Sequence, residues 1–182
     1  MRLFAARGFD HVTVAEVAEA AGVSEKTVFN YFPTKEDIFF DEVPEWLEEL
    51  AAAIRSRRPG ESVVAAVRGL HASQCRRLAS PGFACFARVI EGSPSLQSKE
   101  MEVMARFTDA LAATIRDELG VGRSEAQIAA DLLMTVHWQL FRNARAQALA
   151  GRTGPAAARR LRADLDRAYR LLEHGLGELE RV

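Results

Sequence analysis

Residues 22–40, with the sequence GVSEKTVFNYFPTKEDIFF, carry a dense set of hydrogen-bonding side chains. Hydroxyl, amide and ammonium groups of this kind contact phosphate oxygens and the edges of DNA bases. Asn30 is the side chain best suited to read a base, because its amide both donates to and accepts from an adenine. Lys35 is best suited to hold a phosphate, because its ammonium would act together with backbone N–H groups at a helix start. The chemistry that these residues favour is recognition of nucleic acid.

Two short helices are predicted to position these side chains. Thr13 and Glu16 have the spacing of a capping box, which opens a helix that ends at Gly22, and Ser24 then caps a second helix. The apolar side of the pair consists of Val14, Val17, Ala18, Val23, Val28 and Phe32. Two helices joined by so tight a turn form a helix-turn-helix, whose second helix fits the major groove of DNA.

A third helix is predicted to start at Thr34, with Asp37 three residues later. Lys35 then lies in the first turn, where a positive charge opposes the helix dipole. A bound anion would offset this unfavourable interaction, and we therefore predict that Lys35 holds a phosphate.

Gly8-Phe9 and the segment TVAEVAEAAGVSEKTVFNYFPTKEDIF resemble the TetR (tetracycline repressor) family of bacterial transcription regulators over residues 3–40. Beyond residue 45 the resemblance is limited to the number and length of the helices. It implies a homodimer in which each subunit places residues 24–31 in the major groove of a double-stranded DNA operator. It also implies a C-terminal pocket for a small effector, which moves the connecting helix and releases the operator, as in a repressor.

Eight residues are predicted to contact DNA, and all but Phe29 match positions where family members touch it. They are Thr13, Ser24, Lys26, Thr27, Phe29, Asn30, Tyr31 and Lys35. Phe29 departs from the tyrosine often found at its position, and it lacks the hydroxyl that would donate to a phosphate. We therefore predict that Phe29 either packs inside the domain or contacts a thymine methyl group.

The charge of the N-terminal region leaves an alternative open. The whole chain has a formal net charge of −1, and residues 1–40 contain four basic and six acidic side chains. This is not the basic surface that usually attracts DNA. The alternative is a helical module that binds a small molecule or a protein, and whose helix-turn-helix has lost its affinity for DNA. The first helix is also expected to be truncated relative to the family, without its basic arm.

The periodicity of the whole chain predicts an all-α fold. Apolar residues recur at three- and four-residue steps almost throughout, and glycine and proline divide the chain into about nine helices. Residues 1–43 are predicted to form a three-helix DNA-binding domain, and residues 44–182 a mostly antiparallel bundle for ligand binding and dimerisation. Pro44 predicts a kink or break in the connecting helix, because proline removes a backbone donor.

Two sets of side chains in the bundle are predicted to bind an effector or a second subunit. The effector pocket, suited to an apolar or amphipathic molecule, would be lined by Trp46, His71, Cys75, Phe86, Met104, Phe107, His137, Trp138 and Phe141. Stripes of leucine and valine on the last two helices fit either an ordinary core or a dimer interface, and the resemblance favours the interface. These dimerisation candidates are Leu132, Val136, Leu140, Leu161, Leu165, Leu172 and Leu176.

Several other functions find no support in the sequence. No apolar run approaches the ~18 residues of a membrane span and no signal-peptide pattern is present, so we expect a cytoplasmic protein that does not bind membranes. The motifs of phosphate-binding loops, serine hydrolases, zinc proteases and dinucleotide-binding enzymes are missing, so we expect no enzymatic activity and no cofactor. His71 and Cys75 lie one helical turn apart, but two ligands are too few for a structural zinc site. Cys75 and Cys85 are expected to be reduced thiols.

Overall fold

The computed structural model describes residues 1–175 and contains ten α-helices and no strand among them. The helices are α1 (Arg2–Arg7), α2 (Val14–Ala21), α3 (Glu25–Tyr31), α4 (Lys35–Phe39), α5 (Val43–Arg55), α6 (Val63–Leu78), α7 (Pro81–Glu91), α8 (Pro94–Leu119), α9 (Arg123–Leu149) and α10 (Gly154–His174). The all-α prediction is confirmed. None of these ten helices has both the length and the apolar character that a membrane crossing requires.

Side-chain caps fix the starts of the N-terminal helices. Thr13 Oγ1 accepts a hydrogen bond from Glu16 N (3.3 Å), and Glu16 Oε2 accepts one from Thr13 N (2.8 Å), which completes the predicted capping box of α2. Thr34 and Asp37 form a second capping box at the start of α4. α2 ends at Gly22, whose φ of 70° lies in the left-handed region that glycine adopts without steric cost. Local sequence therefore determines both ends of α2.

The connecting segment is interrupted at residues 40–42. The positions of glycine and proline predicted about nine helices, and this additional break gives the ten helices of residues 1–175. α4 ends at Phe39, and α5 begins at Val43 with Pro44 in its first turn. Proline is tolerated there because the first N–H groups of a helix have no intrahelical partner. The break predicted near Pro44 is confirmed.

The long helices form the body of the molecule. α8 and α9 pack along each other, α10 packs against α6 and α9, and α5 contacts both α6 and α8. Their largest core cluster includes the almost fully buried Ile54, Leu111, Leu133 and Tyr169. Burial of an aliphatic side chain of this size stabilises the fold by about 1.5–3 kcal/mol.

The N-terminal helices share a second apolar cluster with the body. Its buried members are Phe4, Phe9, Val12 and Phe39 from the N-terminal region, with Val89 and Ile90 from α7 and Leu96 from α8. The ring of Phe39 also stacks on Phe86 of α7, with 4.8 Å between the ring centroids. The predicted domain boundary at residue 43 coincides with the break before α5, and it stays a prediction because apolar packing crosses it.

Most of the predicted dimerisation stripe belongs to the core of the subunit itself. The residues for which the prediction is wrong are Val136, Leu140, Leu161 and Leu165, all buried in the large cluster. α9 and α10 are apolar on more than one side, and the side with the larger aliphatic residues faces the neighbouring helices of the same chain. Leu132 is 49% exposed and Leu172 is half-buried, so both remain candidates. Leu176 lies outside the described residues.

Candidate functional site

The hydroxyl groups predicted to contact DNA hold the ends of α2 and α3. Thr13 Oγ1 lies 3.1 Å from Glu16 Oε2, to which it donates, in addition to its role in the capping box. Ser24 Oγ accepts from Thr27 N (3.1 Å) and lies 2.9 Å from Thr27 Oγ1. Their first effect is therefore to fix where α2 and α3 begin.

The outer face of α3 presents polar and aromatic side chains without partners in the chain. Lys26 and Asn30 are exposed, and within residues 1–175 neither makes an ion pair or a side-chain hydrogen bond. Tyr31 is 77% exposed and Phe29 is 48% exposed, whereas Val28 is buried beneath them. Of the two roles predicted for Phe29, packing inside the domain is therefore wrong. Two exposed aromatic rings beside a lysine and an asparagine form a surface suited to an external partner.

Lys35 is engaged inside the N-terminal region instead of pointing freely to solvent. Its half-buried Nζ donates to Phe9 O and Val12 O, each at 3.0 Å, and lies 4.2 Å from the centroid of the Phe9 ring. These contacts hold the loop between α1 and α2 against the start of α4. They also explain a lysine in the first turn of α4 without an anion, so the predicted phosphate contact through this ammonium is not supported by its position.

Two of the six acidic side chains of residues 1–40 are neutralised locally. Glu16 accepts from Thr13 N and pairs with Arg7 Nη1 at 2.6 Å, and these contacts lower the pKa of Glu16 to about 2. Asp37 pairs with Lys99 Nζ of α8 at 3.0 Å. Burial raises the pKa of Asp37, but hydrogen bonds from Thr34 and Lys99 outweigh it and the net shift is downward. Arg7 is already one of the four basic side chains of residues 1–40, so only Lys99, from outside that segment, offsets the negative charge counted there.

Polar contacts reinforce the apolar junction between the N-terminal helices and the body. Ser93 Oγ, at the start of α8, donates to Asp10 Oδ1 at 2.7 Å. Together with the Asp37–Lys99 ion pair and the Phe39–Phe86 stack, this bond ties α1–α4 to α7 and α8. A displacement of α7 or α8 would therefore be transmitted to α3.

An aromatic cluster occupies the centre of the body, where α5, α6, α8 and α9 meet. The Trp46 ring lies 4.5 Å from Phe107 and 4.3 Å from His137, centroid to centroid, and His137 lies 5.0 Å from His71. The ring of Phe141, one helical turn further along α9, lies 6.2 Å from His137. Five of these side chains thus form one contiguous group inside an otherwise apolar core.

The two histidines of this cluster carry unused hydrogen-bonding atoms. His71 Nδ1 lies 3.0 Å from Tyr169 Oη, whereas within residues 1–175 His71 Nε2 and His137 Nδ1 have no hydrogen-bond partner. Burial lowers the pKa of His71 to about 4, and burial together with nearby positive charge lowers that of His137 well below its usual value. Both rings are therefore neutral near pH 7. Unpaired polar atoms in a buried apolar cluster are uncommon in native proteins and are suited to anchor a ligand.

Comparison with known proteins shows a likeness to one family of regulators. The model described as "Bacterial regulatory proteins, tetR family" matches residues 1–41. The regulator TcmR of Streptomyces glaucescens is 35% identical over 69 residues, which make up 38% of this chain and 30% of TcmR. The repressor BdcR of Escherichia coli is 28% identical over 149 residues, which make up 79% of this chain and 74% of BdcR. Residues 1–41 therefore have the N-terminal region of TetR-family regulators.

Two solved structures extend this similarity to the body of the chain. Thermus thermophilus FadR, a TetR-family repressor solved with lauroyl-CoA, superposes with a TM-score of 0.56 at 25% identity, over 97% of this chain and 90% of FadR. A transcriptional regulator from Rhodococcus sp. Rha1 superposes with a TM-score of 0.50 at 23% identity, over 96% of this chain and 91% of that one. The second likeness concerns the fold alone. TetR-family members are transcriptional regulators and not enzymes, in agreement with the prediction.

The effector candidates predicted from the sequence fall into three places. Trp46, His71, Phe107 and His137 lie in the central cluster. Phe86 and Phe141 connect that cluster to the Phe39 junction, with 6.2 Å between their ring centroids. The remaining candidates line surface grooves, and they are Cys75, Met104 and Trp138.

Sequence reasoning missed Tyr169 as a partner of the predicted effector site. Tyr169 lies 98 residues from His71, so no spacing pattern connects the two, and its burial in α10 was the only available signal. Glu100 and Arg145 were missed in the same way; they form a mostly buried ion pair between α8 and α9. Among residues 1–175, no three histidine, cysteine, aspartate or glutamate side chains are grouped as a metal site would require.

Proposed function

We propose that this protein is a ligand-responsive repressor of the TetR family that acts in the cytoplasm as a homodimer on a double-stranded DNA operator. The observation that carries the proposal is the outer face of α3. There Lys26, Asn30 and Tyr31 are exposed and unpaired within residues 1–175, on a helix fixed by the Ser24 cap and by buried Val28. Asn30 is the base-reading residue, and Lys26 supplies phosphate affinity.

The proposed effector site is the central aromatic cluster. Its apolar rings suit the hydrophobic part of a small molecule, and His71 Nε2 and His137 Nδ1 suit a polar group on it. FadR, which superposes over almost the whole chain, binds lauroyl-CoA, and this supports an amphipathic effector here.

The proposed mechanism is a shift of population between two dimer conformations. Trp46 belongs both to the effector cluster and to α5, which follows directly on the break after α4. An effector that separates Trp46 from His137 would move α5, and the junction at Phe39 and Phe86 would carry the movement to α3. Half-sites on DNA are about 34–36 Å apart per helical turn, so a small rotation is enough to lose register. The effector weakens operator binding by its differential affinity for the two conformations.

The exposed side of α9 supports the homodimer. Ile128 is 57% exposed and Leu132 is 49% exposed, and they lie one helical turn apart on the same face. Such residues are rarely left in solvent next to each other on a long helix. We assign them to the interface in place of the four buried stripe residues.

The test uses fluorescence anisotropy with a duplex from upstream of the protein's own gene and a random duplex of equal length. Asn30→Ala is expected to lose most of the preference for the upstream duplex, by about 1–3 kcal/mol, while binding to random DNA changes little. The matched variant Lys26→Ala is expected to weaken binding to both duplexes equally. If the unmodified protein binds neither duplex at low salt, the chain is instead a helical module without DNA affinity.

A further inference from the structure

The proposed regulator function assigns no role to one groove on the surface of the body. It lies where α6 ends, α7 begins and α10 begins, and its volume is about 660 Å³. Its lining consists of Ala72, Cys75, Arg76, Ala79, Ser80, Pro81, Gly154, Pro155, Ala158, Arg159 and Arg162. Only Cys75 is shared with the predicted effector residues. The volume falls in the range of roughly 300–1,000 Å³ typical of small-molecule sites.

The charged side chains that line the groove are all positive. Arg76, Arg159 and Arg162 line it, and its lining contains no aspartate or glutamate. In the part of the chain that the structure describes, the guanidinium groups of Arg76 and Arg159 form no ion pair and no hydrogen bond. Arg162 has a loose contact, with its Nε 3.6 Å from Asp166 Oδ2, because Asp166 Oδ1 already accepts from Arg68 at 3.0 Å.

Arg76 and Arg159 thus lie at the groove without an ion-pair partner, next to Arg162, whose partner Asp166 is shared with Arg68. Arginine binds phosphate and carboxylate oxygens with two parallel N–H donors, which makes it the side chain of choice for such anions. The helices α7 and α10 begin at the groove without an acidic residue in their first turns, so the positive ends of their dipoles favour an anion there. α6 ends at the groove, and Arg76 and Arg77 in its last turn offset the negative end of its dipole.

Small apolar side chains form the floor of the groove. Ala72, Ala79 and Ala158 present methyl groups, with Pro81 and Pro155 at the ends. Small side chains of this kind leave room for an alkyl chain, and they offer little to a hydrophilic polyanion such as a nucleic acid. The occupant that matches both features has an anionic group for the arginines and an apolar chain for the floor.

From this combination we infer that the groove binds a free amphipathic anion, with a phosphate or carboxylate held by Arg76, Arg159 and Arg162 and an alkyl chain against the alanine floor. The inference does not depend on operator binding or on the central aromatic cluster, since neither contributes the arginines. The ligand class is an alkyl phosphate or a fatty carboxylate in monomeric form.

Isothermal titration calorimetry with octyl phosphate, below its micelle concentration, tests the inference on the full chain. Binding is expected to weaken about tenfold for each arginine removed, and so about a hundredfold in Arg76→Gln/Arg159→Gln. The matched control Arg142→Gln/Arg170→Gln removes the same charge from exposed arginines outside the groove, and it is expected to bind octyl phosphate like the unmodified protein. Circular dichroism of both variants should be unchanged, because all four side chains are exposed.

Three further probes separate the parts of the inference. Octylamine, which has the same chain and the opposite charge, is expected not to bind, and equal binding would overturn the role of the arginines. Inorganic phosphate is expected to bind at least tenfold more weakly than octyl phosphate, and equal affinity would overturn the role of the apolar floor. Arginine-dependent binding to phosphatidylglycerol vesicles without binding of monomeric octyl phosphate would assign the groove to a membrane surface and overturn the inference. Unchanged octyl phosphate binding by Arg76→Gln/Arg159→Gln would overturn it as well.

Discussion

Replacement of Lys35 by alanine distinguishes a structural role of this residue from contact with DNA. The ammonium of Lys35 donates to Phe9 O and Val12 O at 3.0 Å each and lies over the Phe9 ring. Hydrogen bonds from a charged donor contribute about 1.5–3 kcal/mol each. Since the site is half-buried and water can replace part of this contribution, we expect Lys35→Ala to lower the free energy of unfolding by about 2–4 kcal/mol.

The stability is measured by urea denaturation followed by circular dichroism. The contact with DNA is measured separately, as the slope of log affinity for random duplex DNA against log salt concentration. Each lost phosphate contact reduces that slope by about 0.9 for B-form DNA. If Lys35 acts through the loop between α1 and α2, the slope for Lys35→Ala stays unchanged under conditions where the variant is folded.

Lys26→Ala is the matched control for this experiment. Lys26 is exposed and makes no ion pair or side-chain hydrogen bond within residues 1–175. Its replacement is expected to change the free energy of unfolding by no more than about 0.5 kcal/mol and to reduce the salt slope by about 0.9. The structural reasoning would be refuted if Lys35→Ala were as stable as the unmodified protein and reduced the salt slope as Lys26→Ala does.

Three other predictions follow from the body of the molecule. Burial lowers the pKa of His71 to about 4, so the unfolded state binds more protons than the folded state between pH 6.5 and 4. The free energy of unfolding, measured in urea titrations, should therefore fall by about 3 kcal/mol as the pH is lowered over that interval. The variant His71→Gln should lack this share of the fall. Leu165→Ala is expected to lower the free energy of unfolding by about 2–5 kcal/mol, because it leaves a cavity in the core. Leu132→Glu, at an exposed position, should leave each subunit folded and weaken the dimer in sedimentation velocity runs. Lys99→Met removes the ion pair with partly exposed Asp37 and should cost at most about 1 kcal/mol; a larger loss in urea denaturation would contradict the ordinary strength of such a pair.

Features that depend on neighbouring residues were predictable from the sequence. The capping boxes at Thr13 and Thr34 are complete within four residues, so the starts of α2 and α4 could be placed, and Gly22 placed the end of α2. Proline is disfavoured in a helix interior, so Pro44 placed the break before α5. The exposed face of α3 also agrees with its sequence pattern, since Val28 is buried and Asn30 is not. These agreements concern the fold and the position of side chains.

Features that depend on distant residues were not predictable. Lys35 meets carbonyl groups 23 and 26 residues earlier in the chain, and nothing in the local sequence distinguishes those acceptors from a phosphate. Periodicity indicates which side of α10 is apolar, but Leu161 and Leu165 would look the same whether they faced their own subunit or a partner. The contact between His71 and Tyr169 likewise arises only when α6 and α10 pack together.

The phenylalanine-rich junction has a consequence for how the N-terminal region can be exchanged between proteins. Residues 1–41 match the family model, yet Phe4, Phe9 and Phe39 share their apolar cluster with Val89, Ile90 and Leu96 of the body. A chimera that grafts this segment onto another scaffold without those three residues would expose aromatic rings and aggregate. Recombination at the sequence boundary is therefore restricted to scaffolds that bring a compatible α7–α8 corner with them.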